Sequence, residues 1–165
     1  MLSAIGRFRR CVELCELHGL PRPSVANLAM VGFCRFFALE FDECFADLEA
    51  ARALAVKLGN RFAEMFTLEG QGSLLSFSDR HAEARPFVER GLALASAISA
   101  KRYEATLLTE LAEVDFATGR TAEARVHVDH AIALFREIGM AFWGPTALGL
   151  RARMQDDERP IAGEV

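Results

Sequence analysis

The sequence predicts an all-α protein, an α-solenoid of antiparallel helix pairs, and two observations carry that prediction. Compared with itself, the chain repeats at an interval of 40: Leu28, Leu68, Leu108 and Leu148 recur, each followed four residues later by Gly32, Gly72, Ala112 or Ala152. A second set runs Cys44, Ala84, Ala124; Leu48, Val88, Val128; Ala51, Gly91, Ala131; Leu54, Leu94, Leu134; and Leu58, Ile98, Ile138. Within one repeat these positions step by three, four or seven, which places them on one face of a helix of 3.6 residues per turn. No alternating pattern competes for a strand.

The elements follow in order, with helices expected near 3–17, 24–39, 42–58, 61–76, 82–98, 101–117, 121–138 and 144–155. The first, with Leu2, Ile5, Phe8, Val12, Leu14 and Leu17, is the second half of a unit whose first half is missing. Thr121 suits the N-cap of the seventh helix, with Glu123 at its positive end, and Asp42 and Asp79 can serve similarly. Gly59 and Gly139 suit the left-handed residue that ends a helix, and Pro145 suits the opening of the eighth. Pro86 dissents, because it removes a hydrogen bond inside the fifth helix, which is expected to begin late or to kink. The organisation is a half unit 1–20, units 21–60, 61–100 and 101–140, a half unit 141–155 and a flexible tail 156–165.

Composition bounds the function classes. The 165 residues are 52% hydrophobic and 25% charged, a globular balance with a core of its own. Net charge is -4 with acids and bases interleaved, so no basic footprint for nucleic acid exists. The apolar stretch 25–41 contains Arg35 and Glu40 and falls short of the roughly 20 apolar residues a membrane span needs. With no signal-like segment, a cytoplasmic location is expected, and Cys11, Cys15, Cys34 and Cys44 read as free core thiols.

Chemistry finds little foothold. No GxxxxGK[ST] string is present, and Gly70-Gln71-Gly72 sits in a helical pattern where close packing explains it. His127 and His130, spaced i, i+3, read as a rim-packed pair in preference to a metal site. Glu110, Glu113 and Asp115 read as a solvated helix face, and Ser73, Ser76 and Ser78 lack a nucleophile-elbow motif. Neither an enzyme nor a bound cofactor or metal is expected.

The element Gly119-Arg120-Thr121-Ala122-Glu123-Ala124 followed by Val128 and Ala131, matched one unit earlier by Asp79-Arg80-His81-Ala82-Glu83-Ala84, resembles the tetratricopeptide repeat over nearly the whole chain. The stretch from Arg136 to Gly149 is similar to the C-terminal helical repeats of bacterial adenylate/guanylate cyclases that carry an ATPase module. The resemblance implies right-handed winding and a non-catalytic protein-interaction or regulatory module whose concave groove receives a peptide or helix. The groove positions it implies are Ala29, Phe33, Phe36 and Phe37, then Glu69, Ser73, Ser76 and Phe77, then Thr109, Glu113 and Phe116. The basic and Asn residues with which chaperone-binding relatives clamp a carboxylate are missing. Expected partners are therefore a protein or peptide, neighbouring domains of a longer chain, or a second copy meeting the uncapped N-terminal helix. The alternative is a small-molecule sensor whose Phe-lined groove encloses an apolar ligand oriented by Glu69 and Glu113.

Overall fold

The computed structural model describes residues 3–140 and 144–156. All regular structure among them is helical: α1 (Ala4–Leu17), α2 (Pro21–Phe37), α3 (Phe41–Lys57), α4 (Arg61–Phe77), α5 (His81–Ala97), α6 (Lys101–Ala117), α7 (Thr121–Glu137) and α8 (Gly144–Asp156). Leu2, the Ala141-Phe142-Trp143 centre of the cyclase-like stretch and residues 157–165 of the expected tail lie outside the described residues. Asp156, assigned to that tail from sequence, closes α8 instead.

The helices repeat more finely than the sequence suggests, because α2 to α7 all have 17 residues and start 20 residues apart. One turn sets this cadence. Gly19, Leu39, Gly59, Asp79, Ser99, Gly119 and Gly139 all have positive φ, between 56° and 79°. On either side of each, the same two bonds form: Leu39 N donates to Phe36 O and Glu40 N to Arg35 O, and Gly119 N to Phe116 O and Arg120 N to Asp115 O. This is the Schellman pattern, which satisfies the last carbonyls of one helix. The residue after the left-handed one then opens the next helix, as when Ala124 N donates to Arg120 O.

This corrects the expected caps. Arg120, not Thr121, is the N-cap of α7, Asp42 lies inside the first turn of α3, and Asp79 occupies the left-handed position. Side-chain capping falls to Ser3, whose Oγ accepts from Gly6 N, and to Asn60, whose Oδ1 accepts from Ala63 N. α2 starts at Pro21, earlier than expected, because the prolines at its first and third positions lack only N–H groups that have no intrahelical partner there. α5 begins on schedule at His81 despite Pro86.

The residues form two compact units, one ending at Leu94 and one beginning at Ala95. In the first, α1 packs on α2, α2 on α3 and α3 on α4; in the second, α6 packs on α7 and α7 on α8. Burial follows the 40-residue interval: Cys44, Ala84 and Ala124 are buried, as are Leu48, Val88 and Val128. The small residues act as predicted. A Cβ on Gly32 would stand 2.8 Å from Leu48 Cγ, and one on Gly70 would stand 3.1 Å from Leu48 Cδ1, so Leu48 nests between two bare backbones.

Both ends depart from the pattern. No residue of α1 is buried, and Ala4, Cys11 and Leu14, on the face that α3 and α7 bury, are exposed. Cys11 is thus a surface thiol, although all four cysteines are free. In α8 the buried residues are Ala147, Leu150 and Met154, while Leu148 is 41% exposed and Ala152 is exposed too. The corresponding face of α2, around Gly32, is covered by Leu48 of the following helix. Among the described residues no helix follows α8.

Candidate functional site

In the first unit, the run Phe33, Phe36, Phe37 brings three rings to one face of α2. Phe33 and Phe36 are half-buried, whereas Phe37, at the end of the helix, is 81% exposed. α4 brings Phe77 to the same edge, where it is 61% exposed. Its ring centroid lies 5.3 Å from Phe36 and 5.7 Å from Phe41, both in edge-to-face arrangement. Phe36 in turn meets Phe37 edge-on at 5.6 Å. These spacings lie in the favourable range for aromatic pairs.

Beside this cluster is an open hollow of about 180 Å³. Phe33, Phe36 and Phe37 wall it from α2, Cys44 and Leu48 from α3, and Gly70 and Ser73 from α4. Leu48 is held by its packing against Gly32 and Gly70, and Phe33 by its ring contact with Phe66 at 4.9 Å, so the walls are fixed by the core beneath. No charged side chain lines it. Burial, aided by the negative charge of Asp47, pushes the Cys44 thiol up to about 11, so it stays a neutral apolar surface at ordinary pH.

The structure therefore brings Phe33, Phe36, Phe37, Ser73 and Phe77 together at one edge of the first unit. Glu69 is half-buried but does not line the hollow. Ala29, expected in the groove, is buried instead, and Ser76 is half-buried; the other expected residues belong to the second unit. Thr109 is buried, its hydroxyl donating to Ala105 O at 2.9 Å within its own helix. Glu113 accepts a hydrogen bond from Arg153 of α8 at 3.2 Å, and Phe116 is half-buried. Cys44, Leu48 and Gly70 were legible as packing positions, but nothing in their spacing marked them as walls of a hollow.

The second unit holds a charged cluster that corrects the sequence reading. Asp115 does not sit on a solvated face: it is 1% exposed. Its Oδ2 lies 2.8 Å from Nδ1 of His127, and its Oδ1 3.0 Å from Nε of Arg120. With the Nδ1–H donating to the carboxylate, the imidazole is oriented and its Nε2 faces away. His130, by contrast, is exposed. Among the described residues no group of three or more His, Cys, Asp or Glu is placed to hold a metal. Exactly 80 residues earlier the charges are inverted: Arg35 Nε pairs with Asp47 Oδ2 at 2.7 Å and Arg35 Nη1 with Glu40 Oε2 at 3.2 Å.

No family and no curated protein matches this sequence. What the described residues define is an array of like helices joined by like turns, compatible with a helical-repeat domain. No helix among them is long and apolar enough to cross a membrane.

Proposed function

We propose that the chain is a non-catalytic, tetratricopeptide-like protein-interaction and regulatory module, and that the aromatic edge of its first unit receives an apolar segment of a protein partner. The observation that carries this reading is the exposure of Phe37 and Phe77 beside a preformed apolar hollow. Large apolar side chains clustered at a surface in this way mark interaction sites. The tetratricopeptide likeness of residues 79–84 and 119–124 supports the same reading, and the stretch from Arg136 to Gly149 supports a place among the C-terminal repeats of ATPase-linked cyclases or related signalling regulators.

A peptide or helix suits this edge better than a free metabolite of ordinary size, because ligand pockets usually enclose about 300–1,000 Å³ and this hollow offers about 180 Å³. The test is selection from a displayed random-peptide library against the full chain. Enriched peptides should carry large apolar residues at helical spacing and should lose at least tenfold in affinity for a Phe37→Ser/Phe77→Ser variant, whose changed side chains are exposed. Failure to enrich any peptide, or peptides that bind the variant equally well, would overturn the reading.

A further inference from the structure

We infer that the hollow on the first unit is the receptacle for one uncharged aromatic ring, carried on a side chain of the partner segment that lies along Phe37 and Phe77. The inference rests on the interaction reading above and names its anchor. Size is the first argument: a buried cavity of about 150 Å³ lined by Leu, Ile and Phe takes up benzene, and this hollow, open to solvent on one side, is about 180 Å³. Chemistry is the second. A charged or strongly polar group entering here would lose its hydration with no charged partner in return. A ring would instead meet the rings of Phe33 and Phe36, which already make edge-on and tilted contacts with their neighbours at 4.9–5.6 Å.

The surroundings choose between a ring on a chain and a free ring. A free ring would fill the hollow yet leave Phe37 and Phe77 in water, 81% and 61% exposed. A ring attached to a peptide brings further apolar surface across both. On α4, Gly70 lets the Leu48 and Phe33 walls rest against the helix backbone, since a Cβ there would press on Leu48 Cδ1 and Phe33 Cζ at 3.1 Å. Ser73, three residues further along the helix, is the side chain whose enlargement closes the site.

The experiment uses the full chain, the library-selected peptides and toluene as a bare-ring probe. Each tight peptide should contain one aromatic residue whose change to Ala weakens binding at least tenfold. Ser73→Phe should weaken the parent peptide similarly, and the two losses should not add, since both empty the same contact. Phe37→Ala, an exposed change, supplies a second reading should Ser73→Phe fail to fold, and should weaken the parent peptide at least fivefold. Peptides that bind without any essential aromatic residue, or that ignore Ser73→Phe while losing affinity for Phe37→Ala, overturn the ring anchor while leaving the interaction module standing, and peptides that ignore both variants overturn the two together. Saturable toluene shifts at Leu48, abolished by Ser73→Phe, with no peptide enriched, keep the ring site but overturn its placement on a peptide and the interaction reading with it. Absence of both kinds of binding overturns both.

Discussion

His127 Nδ1 lies 2.8 Å from Asp115 Oδ2, joining α7 to a carboxylate that the fold removes almost wholly from water. With Arg120 on the other oxygen, the carboxylate has a partner on each side. Breaking a buried ion pair by deleting one member typically costs about 3–5 kcal/mol, whereas replacing all of it with fitted apolar groups is often neutral. The chain contains its own apolar version, for Leu75 and Phe87 stand 40 residues before Asp115 and His127. Asp115→Ala leaves no charge buried, because the His127 and Arg120 side chains are 29% and 42% exposed, so it should lower stability by only about 1–3 kcal/mol, and Asp115→Leu with His127→Phe should recover most of that loss. Urea unfolding of the three proteins measures both.

Gly32 and Leu48 make the second prediction. A Cβ at position 32 would meet Leu48 Cγ at 2.8 Å, Cδ2 at 3.0 Å and Cys44 O at 3.4 Å, and Leu48 is fully buried. Overpacking of this kind costs about 1–3 kcal/mol, so Gly32→Ala should lower the urea midpoint accordingly. The corresponding seam in the second unit already solves the problem, with Ala112 and Val128 both buried at the equivalent positions. Adding Leu48→Val to Gly32→Ala should consequently cost less than the sum of the separate changes.

Cys44 makes stability depend on alkaline pH. Its pKa rises on folding from 9.0 to about 11, mainly through burial, so the folded protein holds the thiol proton where the unfolded chain has released it. A raised folded-state value gives stability that is complete below pH 9 and is lost as pH rises toward 11. The denaturation midpoint should fall across that window, and Cys44→Ala, which installs the residue found at positions 84 and 124, should flatten the fall. At neutral pH an alkylating reagent should label exposed Cys11 well before Cys44.

How much of this could be read beforehand depended on whether a feature repeats. Helix number, phase and the small-against-large seam at Gly32 and Leu48 recur every 40 residues and were legible. The finer step of 20 was hidden because the turn position holds Gly at 19, 59, 119 and 139 but Leu39, Asp79 and Ser99 elsewhere, residues that do not announce a positive φ. Asp115 was misread because the partner that its buried carboxylate meets, His127, lies twelve residues away on another helix, and that pair has no counterpart in the adjacent repeat, where Phe87 replaces the imidazole. The Phe residues at 33, 36 and 37 were assigned to a groove only through the resemblance to the tetratricopeptide repeat. Their hollow was not foreseen, since it depends on where Leu48 and Gly70 of other helices come to rest.

The uniform turn carries an evolutionary corollary. Because each junction uses the same backbone bonds whatever residue occupies it, a block of two helices can be duplicated or excised without altering the geometry of the splice. Such an array can be lengthened or shortened in whole two-helix increments, provided that each new buried seam pairs a small residue with a large one as Gly32 does with Leu48.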